Sequence, residues 1–129
     1  MEKRYLIDTS VAIKYLNESF SENALQWLDS VLDQECNLSV ITKMELLVWQ
    51  TEDEDEMRAL TSFVDSSQIL HLSDSIVDRT VEVRKKSRVK LPDSIIAATA
   101  LVYDLTLVAD NDKDFRKIDG LAYLNPKTV

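Results

Sequence analysis

The sequence predicts an α/β sandwich in three layers, α/β/α, around a mainly parallel central sheet. Three observations predict it. Short apolar runs of strand length recur along the chain, at Tyr5-Leu6-Ile7, Leu38–Ile41, Gln68–Leu72 and Leu105–Ala109. Stretches with apolar residues at helical spacing separate them, and strands alternating with helices make parallel crossover units. Finally, the stretch after Pro92 carries Ile95, Ile96, Ala97, Ala98, Ala100 and Leu101, apolar nearly all round, as befits a helix inside a layered domain.

Taken in order, Tyr5–Ile7 is a buried strand, and Asp8-Thr9-Ser10 follows it as helix-capping residues before Val11, Ile13, Tyr15 and Leu16. Asn17–Ser21 breaks the pattern, and Glu22–Leu32 resumes it with Ala24, Leu25, Leu28 and Val31. Leu38–Ile41 is the second strand. Thr42 then opens a helix through Glu45, Leu46 and Leu47, and Thr42-x-x-Glu45 has the letters of a capping box. Residues 52–56, five consecutive acids, are a solvated loop or helix start before Met57, Leu60, Phe63 and Val64. Gln68–Leu72 is the third strand and includes His71. Ser73 caps a helix through Ile76, Val77, Val81 and Val83, which ends in the basic patch Arg84, Lys85, Lys86, Arg88 and Lys90. Pro92 fits the first helical position, which puts Asp93 in the first turn of the apolar helix. After the strand Leu105–Ala109 comes an acid-rich loop with Asp110, Asp112 and Asp114. Residues 115–120 turn, and Ala122–Leu124 is a last edge strand.

Length and composition narrow the function. At 129 residues the chain reads as one domain, 1–129, able to bury a core without staples. Its apolar runs are too short to span a membrane, and the charged start Met1-Glu2-Lys3-Arg4 leads into a strand in place of a signal peptide, so the expected compartment is the cytoplasm. Cys36 is the single cysteine and His71 the single histidine, which excludes an internal disulfide and a His- or Cys-based zinc site. The single glycine, Gly120, excludes a glycine-rich phosphate loop. The net charge of −8 opposes general affinity for nucleic acid, yet the charge is segregated and the basic patch adjoins Asp93.

Acids recur at one topological place: Asp8 after the first strand, Glu45 in the first turn after the second, Asp93 opening the central helix, and Asp110, Asp112 or Asp114 after the fourth. Each alone is explained by helix capping. Together they repel, and a shared cation relieves that repulsion. Oxygen-only ligands suit Mg²⁺, with Mn²⁺ as substitute, and such an ion activates water against a phosphodiester.

Four stretches, Ile7-Asp8-Thr9-Ser10, Ile41-Thr42-x-x-Glu45-Leu46, Leu91-Pro92-Asp93-Ser94-Ile95-Ile96-Ala97-Ala98-Thr99-Ala100 and Leu107-Val108-Ala109-Asp110-Asn111-Asp112-Lys113-Asp114-Phe115, resemble the ordered motifs of the PIN-domain ribonucleases, in particular the VapC-type toxins. The resemblance extends to Gly120-Leu121 and Asn125-Pro126. It implies a PIN-like fold and a Mg²⁺-dependent endoribonuclease, silenced by a small cognate antitoxin and dimeric. It also implies roles. Asp8, Glu45 and Asp93 match the three core acids and metal ligands, with Glu45 as ligand or water-orienting base and Thr9 as the hydroxyl beside the first acid. The fourth position departs from the pattern: Ala109 replaces a threonine and Asn111 falls where an acid is usual, so Asp112, Asp114 or Asn111 completes the set. Arg84, Lys85, Lys86, Arg88 and Lys90 would hold RNA phosphates, or are a solvated helix end. Trp27, Trp49 and Tyr15 are candidate residues of an antitoxin groove.

Other classes fit less well. The altered fourth motif allows a catalytically degenerate interaction module on the same fold. A phosphate-accepting receiver would leave Glu45 unexplained, and an Asp-x-Asp phosphatase lacks its second acid.

Overall fold

The computed structural model describes residues 3–129, so the first two residues of the charged start lie outside it. Five strands, β1 (Tyr5–Ile7), β2 (Asn37–Ser39), β3 (Gln68–Leu70), β4 (Thr106–Val108) and β5 (Tyr123–Leu124), form one sheet in the order β3-β2-β1-β4-β5. All four pairings are parallel, with Ile7 opposite Val108 and Val108 opposite Leu124. Seven helices cover it: α1 (Thr9–Leu16), α2 (Glu22–Gln34), α3 (Val40–Val48), α4 (Glu54–Asp65), α5 (Asp74–Ser87), α6 (Leu91–Tyr103) and α7 (Asp112–Phe115).

Alternation along each strand divides the core. Leu6, Leu107 and Leu70 face the layer that holds Val83, Ile96, Ala97, Ala100 and Phe115, from α5, α6 and α7. Ile7, Val108 and Leu38 face Val11, Ala12, Leu28, Leu46, Leu60 and Val64, from α1 to α4. Both faces are covered, so apolar residues sit next to each other along a strand, as in Leu6-Ile7 and Leu107-Val108. Among the described residues no helix is long and apolar enough to cross a membrane.

Caps place the helices. Asp8, Ser21, Asp53 and Ser73 each accept a backbone N–H in the first turn of the helix that follows. The acidic run is thus a helix start, with Asp53 as its cap and Glu54, Asp55 and Glu56 against the positive end of the α4 dipole. Gly120 takes φ +79°, the left-handed region where glycine is favoured, in the turn that leads to β5.

The structure corrects four boundaries. β2 ends at Ser39, and Val40 and Ile41 belong to α3, because the Ser39 hydroxyl accepts the Ile41 N–H and caps the helix directly from the strand. Glu45 therefore lies in the second turn, and Thr42 and Glu45 form no capping box. β3 stops at Leu70, leaving His71 exposed beyond it. Leu91 precedes Pro92 in α6, so Pro92 is the second helical residue and Asp93 the third. Residues 112–115, expected as loop, form α7.

Candidate active site

In an open parallel sheet, chemistry collects at the carboxyl edge where the strand order reverses. Here that switch point lies between β1, which is followed by β2 on one side, and β4 on the other. Asp8 closes β1 and its N–H donates to the Val108 carbonyl at 3.0 Å, so it sits on the crevice itself. α6 precedes a parallel strand and runs back against the sheet, which returns its first turn and Asp93 to the same edge.

Asp8 is 6% exposed. Its Oδ2 accepts from the Ser10 N–H at 3.2 Å and the Ser10 hydroxyl at 2.7 Å. Burial nevertheless raises its pKa, and the Glu45 charge adds to the rise. Thr9 turns to α3: its hydroxyl donates to Glu45 Oε1 at 2.6 Å and lies 3.0 Å from the hydroxyl of Thr42, which is fully buried. A hydroxyl carries one proton, so Thr42 supplies the proton of the second contact and the chain runs Thr42 to Thr9 to Glu45. Glu45 Oε1 is thereby fixed. The sequence reading missed Thr42 as a site residue, since its letters pointed to a cap.

Asp93 is pushed up to about 6, first by partial burial and then by the charges of Asp8, Glu45 and Asp114; Lys90 pulls it the other way. Among the described residues no donor hydrogen-bonds its carboxylate. The charges of Asp8, Glu45 and Asp114, from the β1 edge, α3 and α7, thus all act on Asp93.

The three acids after β4 separate. Asp110 is paired with Lys14 and, at 3.1 Å, with Lys127, and it accepts from Asn125 Nδ2 at 3.0 Å. These contacts, Lys14 first, hold it at about 2. Asp112 accepts from the Tyr123 hydroxyl and from Asn125 Nδ2 at 3.1 Å, which lowers its pKa. Asn111 caps α7: its Oδ1 accepts the Asp114 N–H at 3.3 Å and its Nδ2 donates to Asp114 Oδ2 at 3.0 Å. Asp110 has a depressed pKa, so its pairing stabilises the fold above the usual carboxylate range and is lost as pH falls toward 2. Replacing Lys14 with Met removes the main partner. We expect a loss of about 1 kcal/mol at neutral pH, given how exposed the lysine is, and an acid unfolding midpoint moved to higher pH, read by circular dichroism.

Arg84, Lys85 and Lys86 form the last turn of α5, Arg88 follows in the left-handed conformation at φ 58°, and Lys90 adjoins α6. Among the described residues none of the five pairs with a carboxylate. Of the aromatics, Trp49 lines a cavity of about 230 Å³ with Ile13, Leu16 and Leu60, rimmed by Asp55 and Glu56. Trp27 instead packs edge-on against Tyr5, and Tyr15 donates to Asp29.

Among the described residues no three His, Cys, Asp or Glu side chains stand close enough to chelate one ion together. The set is all oxygen, and two of its acids are raised in pKa, first by burial and then by the charges of neighbouring carboxylates. That fits a hard cation held by one or two carboxylates and several waters, the usual habit of Mg²⁺.

A parallel three-layer α/β fold with Asp8 and Asp93 at its switch point defines a carboxylate-centred α/β protein. The PIN domain model matches residues 5–121, and the chain belongs to the PIN domain family. Comparison with curated protein sequences gives no match. Among solved structures the chain is similar to FitAcB from Neisseria gonorrhoeae, at 25% identity and TM-score 0.80, covering 97% of this chain and 99% of that one. It is also similar to a toxin–antitoxin complex from Klebsiella pneumoniae, at 28% identity and TM-score 0.74 over 95% and 97% of the two chains. DNA-bound VapBC from Salmonella typhimurium shares the fold at TM-score 0.83 and 20% identity, over 97% and 99%.

Proposed function

We propose that this chain, one PIN domain over residues 1–129, is a Mg²⁺-dependent endoribonuclease and the VapC-type toxin of a toxin–antitoxin pair, acting in the cytoplasm as a homodimer. The observation that carries the reading is Asp93, whose carboxyl is pushed up to about 6, first by burial and then by the charges of Asp8, Glu45 and Asp114. Asp8 and Asp93 would hold the ion, with Mn²⁺ able to replace Mg²⁺. When bound, such an ion lowers the pKa of a water and stabilises the leaving oxygen of a phosphodiester.

The side chains supply the rest. Thr9 occupies Oε1 of Glu45, which leaves Oε2 to orient the attacking water and take its proton. The fourth place goes to Asp114, because Asp112 is engaged by Tyr123 and Asn125. The cations from Arg84 to Lys90, close enough for Lys90 to act on Asp93, would hold the RNA backbone against the acids. For the antitoxin, the cavity around Trp49 offers an apolar floor and an acidic rim, suited to an amphipathic helix with basic flanks. The similar toxin–antitoxin complex from Klebsiella pneumoniae supports such a partner.

Cleavage of a mixed cellular RNA pool by the purified chain tests the reading. We expect cuts at few positions with Mg²⁺ or Mn²⁺ and none with a chelator. The pair Lys85→Glu and Lys86→Glu should raise KM for RNA by about tenfold with Mn²⁺ affinity unchanged. Absence of both cleavage and Mn²⁺ binding would replace the reading with a degenerate interaction module.

A further inference from the structure

The loop from Ala109 to Asp114 offers three acids of identical chemistry within five residues, and Asp114 is the one whose charge adds to the rise at Asp93. What distinguishes them is the edge of the sheet. The Tyr123 hydroxyl grips the loop at three points: it lies 3.0 Å from the Ala109 carbonyl, accepts the Asn111 N–H at 3.1 Å, and donates to Asp112 Oδ1. Asn125, 5% exposed, adds Nδ2 contacts to both Asp110 and Asp112, while its Oδ1 is fixed by the Lys127 N–H at 3.0 Å. The Tyr123 ring is held in turn, packed on Phe115 with centroids 6.0 Å apart and under Arg116 at 5.2 Å. β5 pairs with β4 in register, Leu107 to Tyr123 and Val108 to Leu124, so the grip is fixed relative to the strand that ends at the site.

We infer that Tyr123 and Asn125 are positioning residues for the fourth acid: by engaging Asp112 and Asp110 they lock the loop so that Asn111 caps α7 and holds the Asp114 carboxylate in place. With Asn111 N–H bound to Tyr123, the Asn111 side chain is left to cap α7 and to donate to Asp114 Oδ2. Release of the hydroxyl frees the Asn111 backbone and Asp112 together, and the three acids then compete for the same place. The inference rests on the proposed reading of the acids as holders of a divalent cation.

Mn²⁺ affinity, measured by calorimetry on the full chain, tests it. Tyr123→Phe, which removes one oxygen and keeps the stacked ring, should weaken Mn²⁺ binding by about tenfold to a hundredfold, the usual effect of losing an outer partner of a metal ligand. Asn125→Ala should act in the same direction. The discriminating variant is Tyr123→Phe combined with Asp114→Asn. It should bind no more weakly than Asp114→Asn alone, since the tyrosine acts only through that acid; a merely structural role would give additive losses. Wild-type affinity in Tyr123→Phe, or additivity in the double variant, would overturn the inference. Wild-type protein that binds no Mn²⁺ would overturn the metal reading, and the inference with it.

Discussion

Asp93→Asn should lower metal-dependent RNA cleavage by about a hundredfold or more and, at the same time, make the metal-free protein more stable. The two effects have one cause. Asp93 stands in a half-buried place among three other acids, so its ionised form is disfavoured in the fold, and its pKa rises to about 6. An acid whose folded pKa is raised binds more protons folded than unfolded between about pH 4 and 6. Stability without metal therefore falls as pH rises through that window, and the cost is complete above it. An amide removes the cost. Because the group is half exposed and also gains from the α6 dipole, the net gain at neutral pH is on the order of 1 kcal/mol. Saturating Mg²⁺ should reverse the order, since a ligand that binds only the folded state stabilises wild type and not the variant. Thermal unfolding at pH 4, 6 and 8, with and without Mg²⁺, reads all of this. Equal stability of the two proteins at pH 8 without metal would show that Asp93 is not held under repulsion.

Phe115→Ala should cost about 3–5 kcal/mol, out of a total that for an ordinary domain is about 5–15 kcal/mol. Phe115 is 1% exposed and heads the largest fully buried side chains. It ties α7 into the layer of Val83, Ile96 and Leu107 and carries the Tyr123 ring. The substitution leaves a cavity under the loop that bears Asp114, so urea unfolding should shift strongly. Mn²⁺ affinity should fall even at temperatures where the variant remains folded. A shift below about 1 kcal/mol would mean that the site can collapse around the gap.

Much of this architecture was legible in the letters. Tyr5–Ile7, the α5 and α6 helices and the acids after each strand follow from apolar period and cap chemistry, because those elements obey local rules. Two things were not legible. Val40 and Ile41 are β-branched and extend an apolar run, so they read as strand; the buried Ser39 cap overrides them, and Glu45 moves one turn along. The choice among Asp110, Asp112 and Asp114 was hidden for a different reason. Lys14, Tyr123, Asn125 and Lys127 engage Asp110 and Asp112, and four of these contacts reach across more than ten residues of sequence. No local pattern carries such information.

The direct passage from β2 into α3 at Ser39 also limits how this chain can vary in length. A helix advances 100° and about 1.5 Å per residue. With no loop between strand and helix to absorb slack, one residue inserted between Ser39 and Thr42 would swing Glu45 a quarter-turn or more away from Thr9. The segment Asn17–Ser21, by contrast, joins two capped helices and has an exposed tip at Glu18 and Ser19 that can lengthen without moving Phe20 from the core. Insertions and deletions should thus be tolerated there and lethal to activity between residues 39 and 45, which a length-scanning library selected for RNA cleavage would display as a sharp gap.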